Sequence, residues 1–481
     1  MGACASSSSA PPARGQRRTR ACTIVEGRGC LSHCKRHIEE DYEVGGAPLG
    51  EGGFGKVFRA KHRATGMERA VKAIDRWDSS GGAERRAMLR MDHPHVIKLY
   101  EVYQSGMCLQ FVMELCRGGT LFDRVVHARH FTEGQAAIVL RQALQAVSYM
   151  HNCFIAHRDL KPENFLFVDD GPLEGNTLKL IDFGTACPCG PEDVLSTQVG
   201  SLSYVSPQVI EGRYNKQCDV WSVGVILHIL LVGRAPFKGR SQDDTLKLIR
   251  RGRLDFQRER WAHVSDDAKV LIRDMLHVHP GRRLAADAAL RQDWIENVAP
   301  DASKVGFDFA IVERLSRFRA DNELRKAALE VAARSLGQPR LDELRAEFQK
   351  FDADNDGTVS LGELQAGLRT AGMDVNPKQV RSVMANLSSS GSGAIEYTEF
   401  LAASLDIHGD LTEPVLRTAF NVFDRDGNGK ITATDLERAL PARARRSISK
   451  LFQQVASNGN GEIHFDDFTT MMRTSVVQMH A

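Results

Sequence analysis

The acidic residues in the last third of the chain have the spacing that most directly implies chemistry. Asp352, Asp354 and Asp356 stand at alternate positions, Gly357 follows, and Glu363 closes the segment DADNDGTVSLGE. Carboxylates at the first, third, fifth and twelfth positions, with a glycine at the sixth for a sharp turn, surround a calcium ion with hard oxygen ligands. The Thr358 carbonyl and a water on Ser360 complete that set. A second segment, DRDGNGKITATD, keeps Asp424, Asp426, Asn428 and Gly429, offers the Lys430 carbonyl and ends in Asp435. The shorter arm of Asp435 predicts weaker calcium binding with some competition from magnesium. Nearer the start, Gly50, Gly52 and Gly55 in LGEGGFGKV form Gly-x-Gly-x-x-Gly, which lets backbone approach phosphate groups closely. An ordinary glycine turn has the same spacing, and so does a dinucleotide-binding turn, but there a helix follows at once. Here strand-like residues follow.

These residues need elements to hold them. The acidic loop recurs at Asp352, Ser388, Asp424 and Ala456, each time with Ile or Val at the eighth position and an acid at the twelfth. Such a repeat implies four helix–loop–helix units in two pairs. The second loop begins Ser388, Ser390, Ser392 and keeps only Gly393 and Glu399; the fourth runs from Ala456 through Asn458 and Asn460 to Asp467. Affinity follows the number of charged ligands, so both read as structural loops. Upstream, strand-type alternation at Val57, Phe58, Ala70, Val71 and Ile74 gives way near Glu84 to helical spacing, which dominates after Leu121. That pattern describes a small strand-rich lobe and a larger helical one.

With 481 residues, two to four compact units are expected. Apolar residues make up 42%, and 63 basic residues balance 61 acidic ones, which excludes a nucleic-acid-binding or wholly disordered chain. The apolar run from Val220 to Gly233 is too short to cross a bilayer and reads as a buried helix. Ten scattered cysteines fit a reducing compartment. Cys30, His33, Cys34 and His37 lack the second ligand pair of a zinc site. Residues 1–40 are rich in Ser, Ala, Pro and Arg and read as a disordered leader without a core. That leader begins MGACAS, in which Gly2 and Ser6 fit myristoylation and Cys4 is placed for palmitoylation. Arg14, Arg17, Arg18 and Arg20 add attraction to anionic lipid, so a cytoplasmic, membrane-associated protein is expected.

Three further motifs decide the class of the first module. AVKAI holds Lys72, HRDLKPEN holds His157, Arg158, Asp159, Lys161 and Asn164, and DFG holds Asp182, Phe183 and Gly184. In this order they resemble the protein kinase family over about 41–297. The resemblance implies that Lys72 holds the α/β-phosphates of ATP and pairs with Glu84, and that Asp182 and Asn164 bind magnesium. It gives Asp159 the substrate hydroxyl proton, and Lys161 looks like the serine/threonine class. Leu49 precedes the glycine loop, Val57 and Ala70 would sandwich adenine, and Met113 looks like the gatekeeper before hinge residues Glu114 to Cys116. Three departures stand out. The connection from Lys72 to Glu84 is short, which weakens the expected ion pair. Ser206-Pro207-Gln208 replaces the usual Ala-Pro-Glu, so a Glu–Arg pair becomes an amide–guanidinium bond with Arg283. Thr120 in GGTLFD stands where the family often has the Glu that reads a substrate arginine.

Between the modules, residues 298–342 include a stretch with Phe309, Val312, Leu315 and Phe318 on one stripe, bordered by Arg314, Arg317, Arg319, Arg325 and Lys326. Calmodulin-like grooves bind such helices, although a helix packed on the kinase has the same period. Kinase, basic junction and EF-hands in this order resemble the calcium-dependent protein kinase family. The expected architecture is an α+β bilobal protein kinase fold (41–297), an autoinhibitory junction (298–342) and an all-α calmodulin-like domain of four EF-hands (343–481). The expected activity is calcium-activated transfer of the γ-phosphate of ATP to Ser/Thr of protein substrates, with Mg2+ and Ca2+ as cofactors, an intramolecular contact between EF-hands and junction, and no nucleic acid. The alternative is a calcium-binding scaffold with a catalytically impaired pseudokinase domain.

Overall fold

The computed structural model describes residues 32–473 apart from 35–36, 53–54, 64, 76–78, 106–107, 258, 299–306, 318–322, 374–375, 389–392, 425–426, 440–447, 449–451, 453–454 and 457–460. The first lobe is a sheet of β1 (Ser32–Cys34), β2 (Tyr42–Gly52), β3 (Gly55–His62), β4 (Glu68–Asp75), β5 (Leu99–Ser105) and β6 (Cys108–Met113) in the order β1-β5-β6-β4-β3-β2. β1 lies parallel to β5, and the other pairs are antiparallel. The leader therefore does not run unstructured to residue 40. β1 adds to the sheet edge, and Ile38 is fully buried with Tyr42, Ala60, Val71, Tyr103 and Val112. An isoleucine in a polar stretch gives no periodicity, so its partners were not legible locally. The sheet's other face carries Ile74, Leu99, Phe111 and Met113 into the main core. There it meets α1 (Ser79–Met88), which begins before the Glu84 expected from spacing.

The second lobe runs through α2 (Leu121–Ala128), α3 (Glu133–Asn152), β7 (Ile155–Ala156), β8 (Phe165–Phe167), β9 (Leu178–Leu180), β10 (Cys187–Pro188), α4 (Pro207–Glu211), α5 (Gln217–Val232), α6 (Gln242–Arg251), α7 (Asp266–Met275), α8 (Ala286–Leu290) and α9 (Asp293–Val298). Thr120 and Thr132 open α2 and α3 with reciprocal caps from Asp123 and Gln135. α5 is apolar on every face and buried along nearly its whole length, as the run from Val220 to Gly233 predicts. It stops at Gly233, whose φ of +69° suits glycine and where a Cβ would lie 2.4 Å from the Arg129 carbonyl.

The last region is helical: α10 (Phe309–Arg317), α11 (Glu323–Ala333), α12 (Gln338–Phe351), α13 (Leu361–Thr370), α14 (Pro377–Leu387), α15 (Tyr397–Ser404), α16 (Glu413–Phe423), α17 (Ala433–Ala439) and a final helix, Phe465–Arg473. Short strands β11 (Thr358–Ser360) and β12 (Ala394–Glu396) pair with each other, as do β13 (Lys430–Ile431) and β14 (Ile463–His464). The aliphatic eighth residues of the loops, Val359, Ile395, Ile431 and Ile463, meet in these pairs and are fully buried.

The junction helices share one core with this region. Ile311, Val312, Leu315, Leu324 and Ala328 pack with Phe348, Phe400, Phe420 and Phe468. The expected stripe is corrected at its start: Phe309 is 58% exposed at the first turn of α10, and Ile311 takes the inward place. Phe318 and Arg319 lie outside the described residues. The basic residues serve a purpose that periodicity does not reveal. Arg314 donates to the Ser404 carbonyl (3.0 Å), Lys326 to Asn386 (2.7 Å) and Arg325 to Met472 (3.4 Å). Each acceptor lies in the last turn of a helix, where carbonyls lack intrahelical partners and the dipole is negative. No helix among the described residues is long and apolar enough to cross a membrane.

Candidate active site and calcium loops

The cleft between the two lobes gathers the motif residues. β4 places Lys72 in register with Val57 and Phe111, pointing its amine toward α1 and β9. Its Nζ lies 2.7 Å from Glu84 Oε1 and 2.9 Å from Asp182 Oδ1. The short connection has therefore not broken the Lys72–Glu84 pair; the chain makes it with Glu84 only 1% exposed. Burial opposes the lysine charge, yet Glu84 and Asp182 hold its pKa above the ordinary value. Burial likewise opposes the Asp182 carboxylate, and Lys72 keeps it below its usual range. Asp182 itself is left-handed, with φ of 62°. Above the cleft, Gly50 pairs with Val57 and Gly52 with Gly55 across the β2–β3 hairpin. A side chain at Gly55 would put its Cβ 2.2 Å from the Ala73 carbonyl, so the loop needs that glycine.

Asp159 accepts from Lys161 Nζ at 2.7 Å and from Ser201 Oγ at 2.8 Å, and the Asn164 amide donates to the Asp159 carbonyl at 2.7 Å. Beneath them, Asp219 is fully buried at the start of α5 and accepts from the His157 and Arg158 backbone N–H groups at 3.0 and 2.8 Å and from His151 at 2.9 Å. Burial opposes its charge, but these donors lower its pKa. The His157 and Phe183 rings meet at 5.3 Å, tilted by 60° to each other, tying the HRD and DFG segments together. Ser201, Asp219 and His151 were missed by motif reading. Asp219 had one available signal, an acid opening an otherwise apolar helix; Ser201 had none.

At the hinge, Met113 and Ala70 are buried, Leu49 is half-exposed, and Glu114 reaches back to Lys179 at 2.9 Å. Burial pushes the Cys116 thiol pKa up. The Gln208 substitution is accommodated as expected. Its Oε1 accepts from Arg283 at 2.7 Å, and its Nε2 donates to the Val278 carbonyl at 2.7 Å, a bond a glutamate cannot make.

In the first acidic loop, Asp352 accepts from the N–H groups of Asp356 (3.0 Å) and Gly357 (3.1 Å). Asp356 accepts from Thr358 at 2.8 Å, and Glu363 folds back onto the N–H groups of Ala353 and Ser360. Carboxylate oxygens of Asp352, Asp354 and Asp356 lie within 4.8 Å of one another. Burial, then repulsion from Asp356 and Glu363, raises the pKa values of Asp352 and Asp354. Crowded hard oxygens that resist their own charge fit a divalent cation. The third loop repeats the plan: Asp424 accepts from Asn428 (3.1 Å) and Gly429 (2.8 Å). Its twelfth residue differs: Asp435 is engaged by the Thr432 N–H (2.9 Å) and hydroxyl (2.5 Å). Lys430 pairs with Glu462 at 2.6 Å. Asp426, Ser390, Ser392, Asn458 and Asn460 lie outside the described residues.

A bilobal cleft of this geometry followed by paired helix–loop–helix units defines a kinase with an EF-hand regulator. The protein kinase domain family matches residues 43–295, and the EF-hand domain pair family matches 341–405 and 413–473. Calcium-dependent protein kinase 5 of Plasmodium falciparum (isolate 3D7) is 35% identical over 90% of this chain and 78% of its own length. Calcium-dependent protein kinase 17 of Arabidopsis thaliana is 36% identical over 91% of this chain and 84% of its own. The chain belongs to the calcium-dependent protein kinase family.

Proposed function

We propose that this chain is a serine/threonine protein kinase that calcium switches on. The observation that carries the reading is Lys72 held between Glu84 and Asp182 in a cleft whose opposite wall presents Asp159. Phosphoryl transfer needs positioning and charge neutralisation more than covalent chemistry. Leu49, Val57, Ala70 and Met113 enclose adenine against the hinge from Glu114 to Cys116, and the Gly50–Gly55 loop covers the phosphates. Lys72 meets the α/β-phosphates. Asp182 and Asn164 hold magnesium ions, which supply positive charge to the transferring phosphoryl group. Asp159 receives the hydroxyl proton of the acceptor Ser or Thr, with Lys161 and Ser201 fixing its carboxylate.

The regulatory region reads as four EF-hands. Loops one and three take calcium through Asp352, Asp354, Asp356, Thr358 and Glu363, and through Asp424, Asp426, Asn428, Lys430 and Asp435; loops two and four stay unfilled. Without calcium the junction restrains the kinase, and calcium releases it. Acylation at Gly2 and Cys4 brings the chain to the cytoplasmic face of a membrane. The test is radiolabelled phosphate transfer to a generic protein substrate, with calcium and with chelator. Calcium-stimulated labelling that is lost in Asp159→Asn is expected; equal labelling in both conditions refutes calcium control, and none in either refutes the kinase.

A further inference from the structure

The first calcium loop is also a contact surface of the kinase. Gly357, at its turn, lies so close to the kinase lobe that a Cβ there would be 2.5 Å from the His93 ring and 2.6 Å from Tyr149. Asn355 Oδ1, one residue before Asp356, accepts from Gln145 Nε2 of α3 at 2.5 Å. Around this point the fit continues. Gln349 and His95 meet at 3.1 Å, and Asp92 accepts from the Thr398 N–H at 3.0 Å and from its hydroxyl at 2.7 Å. Lys98 binds both Asp92 and Thr398, at 2.6 and 3.0 Å. The segment from Asp92 to Lys98 leads from α1, which carries Glu84, into β5. Beside it is a cleft of about 1120 Å3, into which Asp354, Ser360 and Glu363 open from the loop and Arg141, Gln142 and Arg291 from the kinase. By contrast, the bonds given above for loop three stay inside the EF-hand region.

We propose that loop one is a shared site. Calcium fixes the turn from Asp354 to Thr358 in the shape that fits against His93, Tyr149 and Gln145, and those kinase residues in return set the loop's calcium affinity. Reciprocity is obligatory: if bound calcium favours this contact, the contact favours bound calcium by the same factor. Loop three, whose contacts named here lie within the EF-hand region, is expected to lack this dependence. The inference rests on the reading that loop one binds calcium, and extends it by naming kinase-lobe residues that tune the metal.

Calorimetric calcium titration of the full chain tests it without reference to activity. In an Asp424→Ala background, which leaves loop one to titrate, Gln145→Leu is expected to raise the calcium Kd about 5- to 10-fold, at the lower end of typical couplings. Thr398→Ala, which breaks the contact from the EF-hand side, shifts it in the same direction, so a folding defect in the kinase lobe cannot imitate the effect. In a Glu363→Gln background, which leaves loop three, neither variant shifts the Kd. Hydrogen exchange adds a second readout: calcium should slow exchange of amides 92–98 in the parent and not in Thr398→Ala. Unchanged loop-one affinity in both variants overturns the proposal, and so does an equal shift at loop three. No calcium uptake at all by the Asp424→Ala chain refutes the loop-one reading itself, and the coupling falls with it.

Discussion

Thr120 shows how one residue can carry two roles that compete. Its hydroxyl accepts the Asp123 N–H at 3.0 Å, and Asp123 accepts in return, so the residue caps α2 and offers no charge to a substrate. Glu163 is exposed nearby and remains to favour basic side chains close to the acceptor. On a positional peptide library we expect only weak selection for arginine three residues upstream of the acceptor. Thr120→Glu should create that selection at a cost of about 0.5–2 kcal/mol in helix capping. A dominant arginine requirement in the parent would show the argument wrong. Charge count decides the calcium loops in the same way. Glu363→Gln removes one charge from loop one, and calcium-stimulated activity should collapse. Asp435→Glu lengthens the weak arm of loop three and should lower the calcium needed for half-activation. Moving a switch from 1:99 to 99:1 takes about 5.5 kcal/mol of differential binding, and one effector typically supplies ~1–3 kcal/mol. Both loops are therefore needed, and a calcium titration in which Glu363→Gln matches the parent would reject this. The residues that meet in the cleft and in the acidic loops were legible because the chemistry expected of them demands fixed types at fixed spacing. Ser201 and Asp219 were not, because each is defined by partners distant in sequence.

The junction helices were legible as amphipathic elements, but not in their inward register or in the task of their charges. Apolar period finds a stripe; it does not say that Arg314, Arg325 and Lys326 end on carbonyls at three helix termini, because those acceptors are backbone and carry no sequence signature. The leader failed for a related reason, since β1 is held by pairing with β5 and not by any pattern of its own. Leu315 is fully buried in the shared core, so Leu315→Ala should cost about 2–5 kcal/mol of packing there. Half-activation should then require at least about tenfold more calcium, since ~1.4 kcal/mol is a factor of ten. An unaltered activation curve would mean that α10 does not report the state of the EF-hand region to the kinase.

For the whole molecule, membrane attachment and calcium control should be separable. One acyl chain holds a protein only marginally, and two hold it stably. Gly2→Ala is expected to move the chain to the soluble fraction, and Cys4→Ser to leave it loosely bound, each with its calcium response intact. If both variants sediment with membranes as the parent does, acylation is not the anchor. The order of the modules was legible along the chain from motifs alone. How they meet was not, because Asp92, Gln145, Asn355 and Thr398 are unremarkable polar residues until the fold brings them together.

α10 and α11 occupy the apolar groove of the EF-hand region and belong to the same polypeptide. A tethered occupant acts at an effective concentration on the order of millimolar. A free amphipathic peptide whose intrinsic affinity equals that of the tethered helices must therefore reach about millimolar levels to displace them. We therefore expect this EF-hand module to be reserved for its own kinase, and a peptide no tighter than the tethered helices, added at micromolar levels, to leave this chain's calcium response untouched.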